Sequence, residues 1–240
     1  MNHIYDDPRI PQVAKNLADK TVNSTDNENS WSAVLTPKYS PAFWSCVISK
    51  FAEQLSGINF IWFFSTTFFD NVSGNGKTVT LLVSVFNLFG TFVGIYAVNN
   101  FPIMAGMKYG VMLQGGLLVL LYFSIQIQAF WIGPVIVGCY MIASAGGISG
   151  LIGLYITEIL PPKGISLAIA LGWLLIAAIG KLSMIGVQIF GGNNMLLIFA
   201  IFCGIGYYAM DRYCVKGKSS IADRTDATDE KMIPLISRVE

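Results

Sequence analysis

The sequence predicts an all-α, polytopic membrane protein with six transmembrane helices. Three observations carry that prediction. Of 240 residues, 54% are apolar and only 12% are charged, with mean hydropathy +0.59; an ordinary soluble domain carries about 25% charged residues. The charges are displaced to the ends, so that residues 41–210 contain only Lys50, Glu53, Asp70, Lys77, Lys108, Glu158, Lys163 and Lys181. Apolar stretches near the length a bilayer crossing needs, about 20 residues, recur six times. The organisation that follows is a polar N-terminal tail with an interfacial segment over 1–40, a six-helix bundle over 41–214 and a polar C-terminal tail over 215–240. With 15 Lys and Arg against 14 Asp and Glu, no basic stripe is left for nucleic acid.

Residues 1–30 lack an apolar core, so no cleavable leader is expected and the first span serves as its own insertion signal. The spans are expected at 41–69, 78–99, 106–127, 129–159, 164–190 and 194–214. Gly191-Gly192-Asn193-Asn194 is a turn between the last two. The first, fourth and fifth spans exceed a straight crossing, which calls for tilt, a break or an overhang. Six crossings place both tails on one side, together with the loops near 100–108 and 160–163. That side carries twelve Lys and Arg; the other has Lys77 alone. The bias puts both termini in the cytoplasm, or in the matrix of an organelle. Asn71-Val72-Ser73 is a glycosylation sequon close to the opposite surface.

No catalytic constellation is present, and neither a metal site nor a cofactor is expected. His3, the single histidine, lies in the N-terminal tail, and the four cysteines, Cys46, Cys139, Cys203 and Cys214, have no ligand-like spacing and read as buried packing residues. Glycines recur at Gly90/Gly94, Gly146/Gly150 and Gly147/Gly150/Gly153. They fit close helix packing, or a helix broken around a substrate. Lys50, Glu53 and Lys181 fall within spans, where an ionisable group costs at least about 2.5–3.5 kcal/mol. Lys50 and Glu53, three apart, share a helix face. Three readings stay open for this charge cluster: an internal ion-pair lock, contact with another subunit or a lipid phosphate, and a proton-coupling site.

Ser30-Trp31-Ser32-Ala33-Val34-Leu35-Thr36-Pro37-Lys38-Tyr39, then Glu53-Gln54-Leu55-Ser56-Gly57-Ile58-Asn59 and Trp62-Phe63-Phe64-Ser65, resemble the entry to the seventh helix of the sugar porter family of the major facilitator superfamily. Asn87 resembles the amide of the next family helix, Glu158-Ile159-Leu160-Pro161 the Glu-x-x-Pro signature that closes the tenth, and Trp173 the Trp of the eleventh. The resemblance covers residues 30 to about 214. It implies the C-terminal half of that fold, six helices in a 3+3 inverted repeat. It also implies that Gln54, Asn59 and Asn87 contact sugar if the chain is competent for transport, since amides match hydroxyls by donating and accepting at once.

The pattern is eroded in places. Glu53 stands where the family has Gln. The charged loop after the eighth helix is replaced by Asn99-Asn100-Phe101-Pro102-Ile103-Met104-Ala105-Gly106-Met107-Lys108, Gly153 falls where a sugar-stacking Trp is expected, and Ile165 replaces a basic residue. Glu158 and Trp173 are about one helical turn closer than usual, and the family's Pro-Glu-Thr-Lys-Gly motif after the last helix is missing. Glu158, Pro161 and Lys163 read as a helix-end anchor. Two functions are expected to compete. One is a non-transporting structural or accessory subunit of a larger membrane assembly, for which a mitochondrial inner membrane is one setting. The other is a half-size sugar transporter, working as a dimer or with a separate N-terminal half. The expected partners are the lipid bilayer, other membrane subunits or a second transporter half, and a hexose or a lipid headgroup.

Overall fold

The computed structural model describes residues 36–37, 39–63, 70, 76–129 and 131–215. Its elements are α1 (Ser40–Leu55), α2 (Gly76–Asn100), α3 (Ile103–Gln126), α4 (Gly133–Gly146), α5 (Ile148–Ile159), α6 (Pro162–Phe190) and α7 (Gly192–Tyr213), and there is no strand among the described residues. Five runs are long and apolar enough to cross a membrane: α2, α3, the α4–α5 pair over Gly133–Ile159, α6 and α7. The first span is interrupted. It is helical over Ser40–Leu55, turns at Ser56 and Gly57, and is helical again over 58–63. The chain is thus an all-helical, six-span membrane bundle. The sequon and the two polar tails fall outside the described residues, apart from a few tail residues at the bundle edges.

Local sequence places the ends and breaks. Pro41, Pro134 and Pro162 sit in the first turns of α1, α4 and α6, where a missing N–H costs nothing. Gly57 has φ +89°, a left-handed conformation that only glycine adopts cheaply. A Cβ there would stand 2.9 Å from Cγ of Phe199. Gly147 separates α4 from α5 inside the fourth span.

The packing is a repeat. Exchanging the first three spans for the last three carries one set of helix contacts onto the other. The α2–α4 contact becomes α6–α1, and α3 on α4 and α5 becomes α7 on α1. The α2–α3 pair becomes α6–α7, while α3–α7 and α1–α5 map onto themselves. Three crossings reverse the chain, so the two triplets run oppositely and the repeat is inverted. The first member of each triplet is the broken one. The glycine spacings serve this packing. A Cβ on Gly90 would lie 2.7 Å from Cβ of Ala145, and one on Gly110 2.7 Å from Cα of Gly147.

The core lies around the fourth span and α3, with Met107, Val111, Leu118, Tyr140, Met141 and Tyr155 almost fully enclosed. The helices α2 and α6 are peripheral and present broad apolar faces outward. Cys46 and Cys203 are buried and Cys214 is half-buried, but Cys139 is exposed on α4, contrary to its expected role in packing. In lipid a small apolar side chain has no reason to turn inward.

Candidate functional site

The last two turns of α1 carry Lys50, Glu53 and Gln54, and the break at Gly57 sets Asn59 on the following helical segment. These four side chains form one hydrogen-bonded chain. The Lys50 ammonium donates to Oε2 of Glu53 at 2.9 Å, and Nε2 of Gln54 donates to the same oxygen at 3.2 Å. Nδ2 of Asn59 in turn donates to Oε1 of Gln54. The Lys50 and Glu53 side chains are only 15% and 10% exposed. The lysine stem lies across Gly172 of α6, where an added Cβ would meet Cδ of Lys50 at 3.3 Å. Gly172 therefore makes room for the charged side chain.

A backbone break within a membrane span strands polar groups that no water can satisfy. Here neighbouring spans supply the partners. Oη of Tyr140 on α4 donates to the Ser56 carbonyl at 3.0 Å, and Sγ of Cys203 on α7 approaches the same oxygen at 3.8 Å. Oγ of Ser56 donates to the Glu53 carbonyl at 2.7 Å. Cys203 is buried as the sequence led one to expect, whereas Tyr140 is not marked by any motif. The available signal for Tyr140 was a phenol within an apolar span, which needs a partner when buried.

Asn87 belongs to a different region. It is half-buried on α2 and lines a groove of about 340 Å3 with Thr91, Gly94, Ala145, Ser149 and Gly150. This groove opens where α4 breaks into α5. Gln54 and Asn59 do not line it, so the structure does not gather the three amides into one groove. Gly153 faces open space. Trp173 is 68% exposed. Glu158 and Lys163 are half-buried on either side of buried Pro161, at the junction of α5 and α6. Lys181 is exposed on α6 and stands apart from the Lys50–Glu53 pair.

Two further features were missed. Gln114 on α3 is fully buried, with neither its side-chain nitrogen nor its oxygen hydrogen-bonded. At the end of the bundle where α7 finishes, residue 215 is pinned between two other spans. Oη of Tyr155 donates to the Val215 carbonyl at 2.7 Å, and the Val215 N–H donates to Oγ of Ser45 at 2.9 Å.

A family model for "Sugar (and other) transporter" matches residues 5–219. The chain belongs to the sugar transporter family. Sugar transport protein 10 of Arabidopsis thaliana is 33% identical over 91 residues, covering 36% of this chain and 18% of the relative. Sugar carrier protein C of Ricinus communis is 31% identical over 116 residues, 47% of this chain and 21% of that protein. Probable plastidic glucose transporter 3 of A. thaliana is 25% identical over 179 residues, 70% of this chain and 36% of the relative. The chain thus spans between about a fifth and about a third of these relatives. Within this member of the sugar transporter family, the amides of the first span are held in a chain anchored on an ion pair, and the fourth span leaves Gly153 uncovered.

Proposed function

We propose that this chain is a membrane subunit that keeps the sugar-porter six-helix half as a scaffold and does not itself move hexose. One observation carries the reading: Gln54 uses an N–H and its carbonyl, and Asn59 an N–H, in a chain anchored on the Lys50–Glu53 ion pair. A sugar hydroxyl would compete with an ionised acceptor and with the amide-to-amide bond. Charge-assisted hydrogen bonds are roughly twice as strong as neutral ones, so the competition favours the protein's own contacts. The loss of a stacking Trp at Gly153 removes a further source of sugar affinity. The charge asymmetry of the loops supports both termini on the cytoplasmic or matrix side.

Reconstitution of the purified chain in liposomes with labelled glucose and galactose tests this. The expected result is no saturable uptake and no counterflow. Saturable uptake lost on Gln54→Ala would overturn the proposal.

A second reading, a half-size transporter completed by another bundle, is favoured by the open groove around Asn87, Thr91 and Ser149. Alternating access requires two bundles rocking about a shared site. On that reading, co-reconstitution with a complementary half gives uptake that Asn87→Ala abolishes.

A further inference from the structure

The first and fourth spans are counterparts in the inverted repeat, and their breaks correspond residue by residue. The step along the chain that carries Gly57 onto Gly147 also carries Gln54 onto Ser144 and Asn59 onto Ser149. Both of these pairs bridge their break. Asn59 donates to Gln54, and the hydroxyls of Ser144 and Ser149 share a hydrogen bond at 3.0 Å. The third helices of the two triplets, α3 and α7, keep the same register. A Cβ on Gly57 would meet Phe199 of α7, and one on Gly147 would meet Cα of Gly110 of α3 at 2.7 Å. One helical turn on from Phe199 and from Gly110 stand Cys203 and Gln114. Gln114 is therefore to the fourth span what Cys203 is to the first.

The two breaks differ in how they are held. At the first, the Ser56 carbonyl accepts from Tyr140 and is approached by Cys203. The counterpart of Ser56 is Gly146, and among the described residues no donor reaches its carbonyl. The counterpart of Tyr140 is Lys50, which is committed to Glu53. The counterpart of Cys203 is Gln114, fully buried with both side-chain amide atoms unpaired. An orphan acceptor and an orphan donor thus stand at the two ends of a contact that the other half of the molecule makes. Burying either without a partner is costly. The amide has the reach, since Nε2 of a glutamine lies two bonds further from the backbone than Sγ of a cysteine. A bridging water needs a space of its own. Here the break is packed backbone to backbone, a Cβ on Gly150 falling 1.9 Å from the Ala145 carbonyl oxygen, and Gln114 lines neither of the grooves beside it.

We propose that the fourth span has a second arrangement about Gly147, in which Nε2 of Gln114 donates to the Gly146 carbonyl, and that the two arrangements give the groove beside Asn87 two shapes. Gly146, Gly147 and Gly150 leave the backbone free to make the change. The helix α5 supplies Ser149, Gly150, Leu151 and Leu154 to that groove, and Gln114 is not among its lining residues, so the amide acts on the groove through the span rather than from within it. The first span has no such freedom, because its break is already tied to α4 and α7. The device is the same whether or not the chain moves sugar, and its test does not depend on uptake.

The experiment places nitroxide labels at Val135→Cys on α4 and Thr157→Cys on α5, both exposed, in the full chain carrying Cys139→Ser and Cys214→Ser. Cys46 and Cys203 are buried and stay unlabelled. The separation of the labels is measured by pulsed electron paramagnetic resonance in lipid nanodiscs. Gln114→Met keeps the length of the side chain and removes the donor, and Gln114→Leu serves as a second variant without a donor. The expected result is two separations with Gln114 in place, one of which falls at least fivefold in population in either variant. A single separation with Gln114 in place overturns the proposal, and assigns the amide to a bridging water or to permanent isolation. Two separations in unchanged proportion in the variants overturn it as well. Thr91→Cys reports the groove: its rate of reaction with a small maleimide should shift at least threefold on Gln114→Met, and an unchanged rate refutes the link between the break and the groove.

Discussion

Removing the Glu53 carboxylate is expected to destabilise the bundle by far more than a surface ion pair would. Its side chain is 10% exposed and that of Lys50 15%, so water screens the pair little. Glu53→Leu leaves the ammonium of Lys50 over Gly172 with no counter-charge, and takes the acceptor from Nε2 of Gln54. Breaking one member of a buried pair costs about 3–5 kcal/mol. Lys50→Leu costs a similar amount, because the carboxylate is then the uncompensated charge. The double variant removes both charges. What remains is the lost acceptor of Gln54, about 1–3 kcal/mol. The singles therefore sum to about 6–10 kcal/mol, and the double falls well short of that sum. The assay is reversible unfolding in mixed micelles, followed by circular dichroism for the wild type, both singles and the double. Additivity within about 0.5 kcal/mol would show that the two residues do not interact and would refute the ion-pair account of this site.

Three other outcomes are expected. A Cβ on Gly150 would stand 1.9 Å from the Ala145 carbonyl oxygen, whereas one on Gly153 meets nothing. Gly150→Ala should lower thermal stability in detergent by many degrees or abolish recovery of folded protein, and Gly153→Ala should leave it within about 0.5 kcal/mol of wild type. Gln114→Leu replaces a buried, unpaired amide by an apolar side chain of similar size; it should raise stability by about 1–3 kcal/mol in the same unfolding assay, and a loss of that size would mean that the amide is paired. In a cysteine-free background and sealed vesicles, Lys77→Cys and Lys163→Cys should react with impermeant maleimide from opposite sides. Reaction from the same side would contradict the six-span topology.

The spans are legible because lipid imposes one strong rule: about 20 apolar residues with few charges. Which way each helix faces is much less legible. In a soluble helix the polar face marks the outside, but α6 is apolar on nearly every side, and only the small residues Gly164, Ala168 and Gly172 mark its inner stripe. That is why sequence could group Lys181 with Lys50 and Glu53, while the structure turns it outward. Lys50 and Glu53 were readable because helical spacing alone sets residues three apart on one face. Gln54 and Asn59 could be singled out, but not the bond between them, since it spans the turn at Gly57. The separation of Asn87 from those amides depends on where α4 breaks, and the break at Gly147 was one of several that its glycines allowed. Tyr140 and Gln114 are single polar residues in apolar spans. Sequence does not say that one would find a carbonyl and the other nothing.

The pinning of Val215 bears on how the protein is made. Ser45, Tyr155 and Val215 stand near the start, past the middle and at the end of the membrane-embedded chain, and two hydrogen bonds join all three. Ribosomes deliver them in that order, at about 5–20 residues per second. The first span thus enters the bilayer many seconds before the group that closes it exists. Until then Ser45 and Tyr155 wait without the backbone partners that α7 brings, and the contacts of α7 with α1 and α3 are still to form. Assembly is completed by the last helix to arrive. A chain ended before Val215 would keep its apolar length but lose this closure, which makes the residues just after α7 the point at which a correctly inserted molecule is distinguished from an unfinished one.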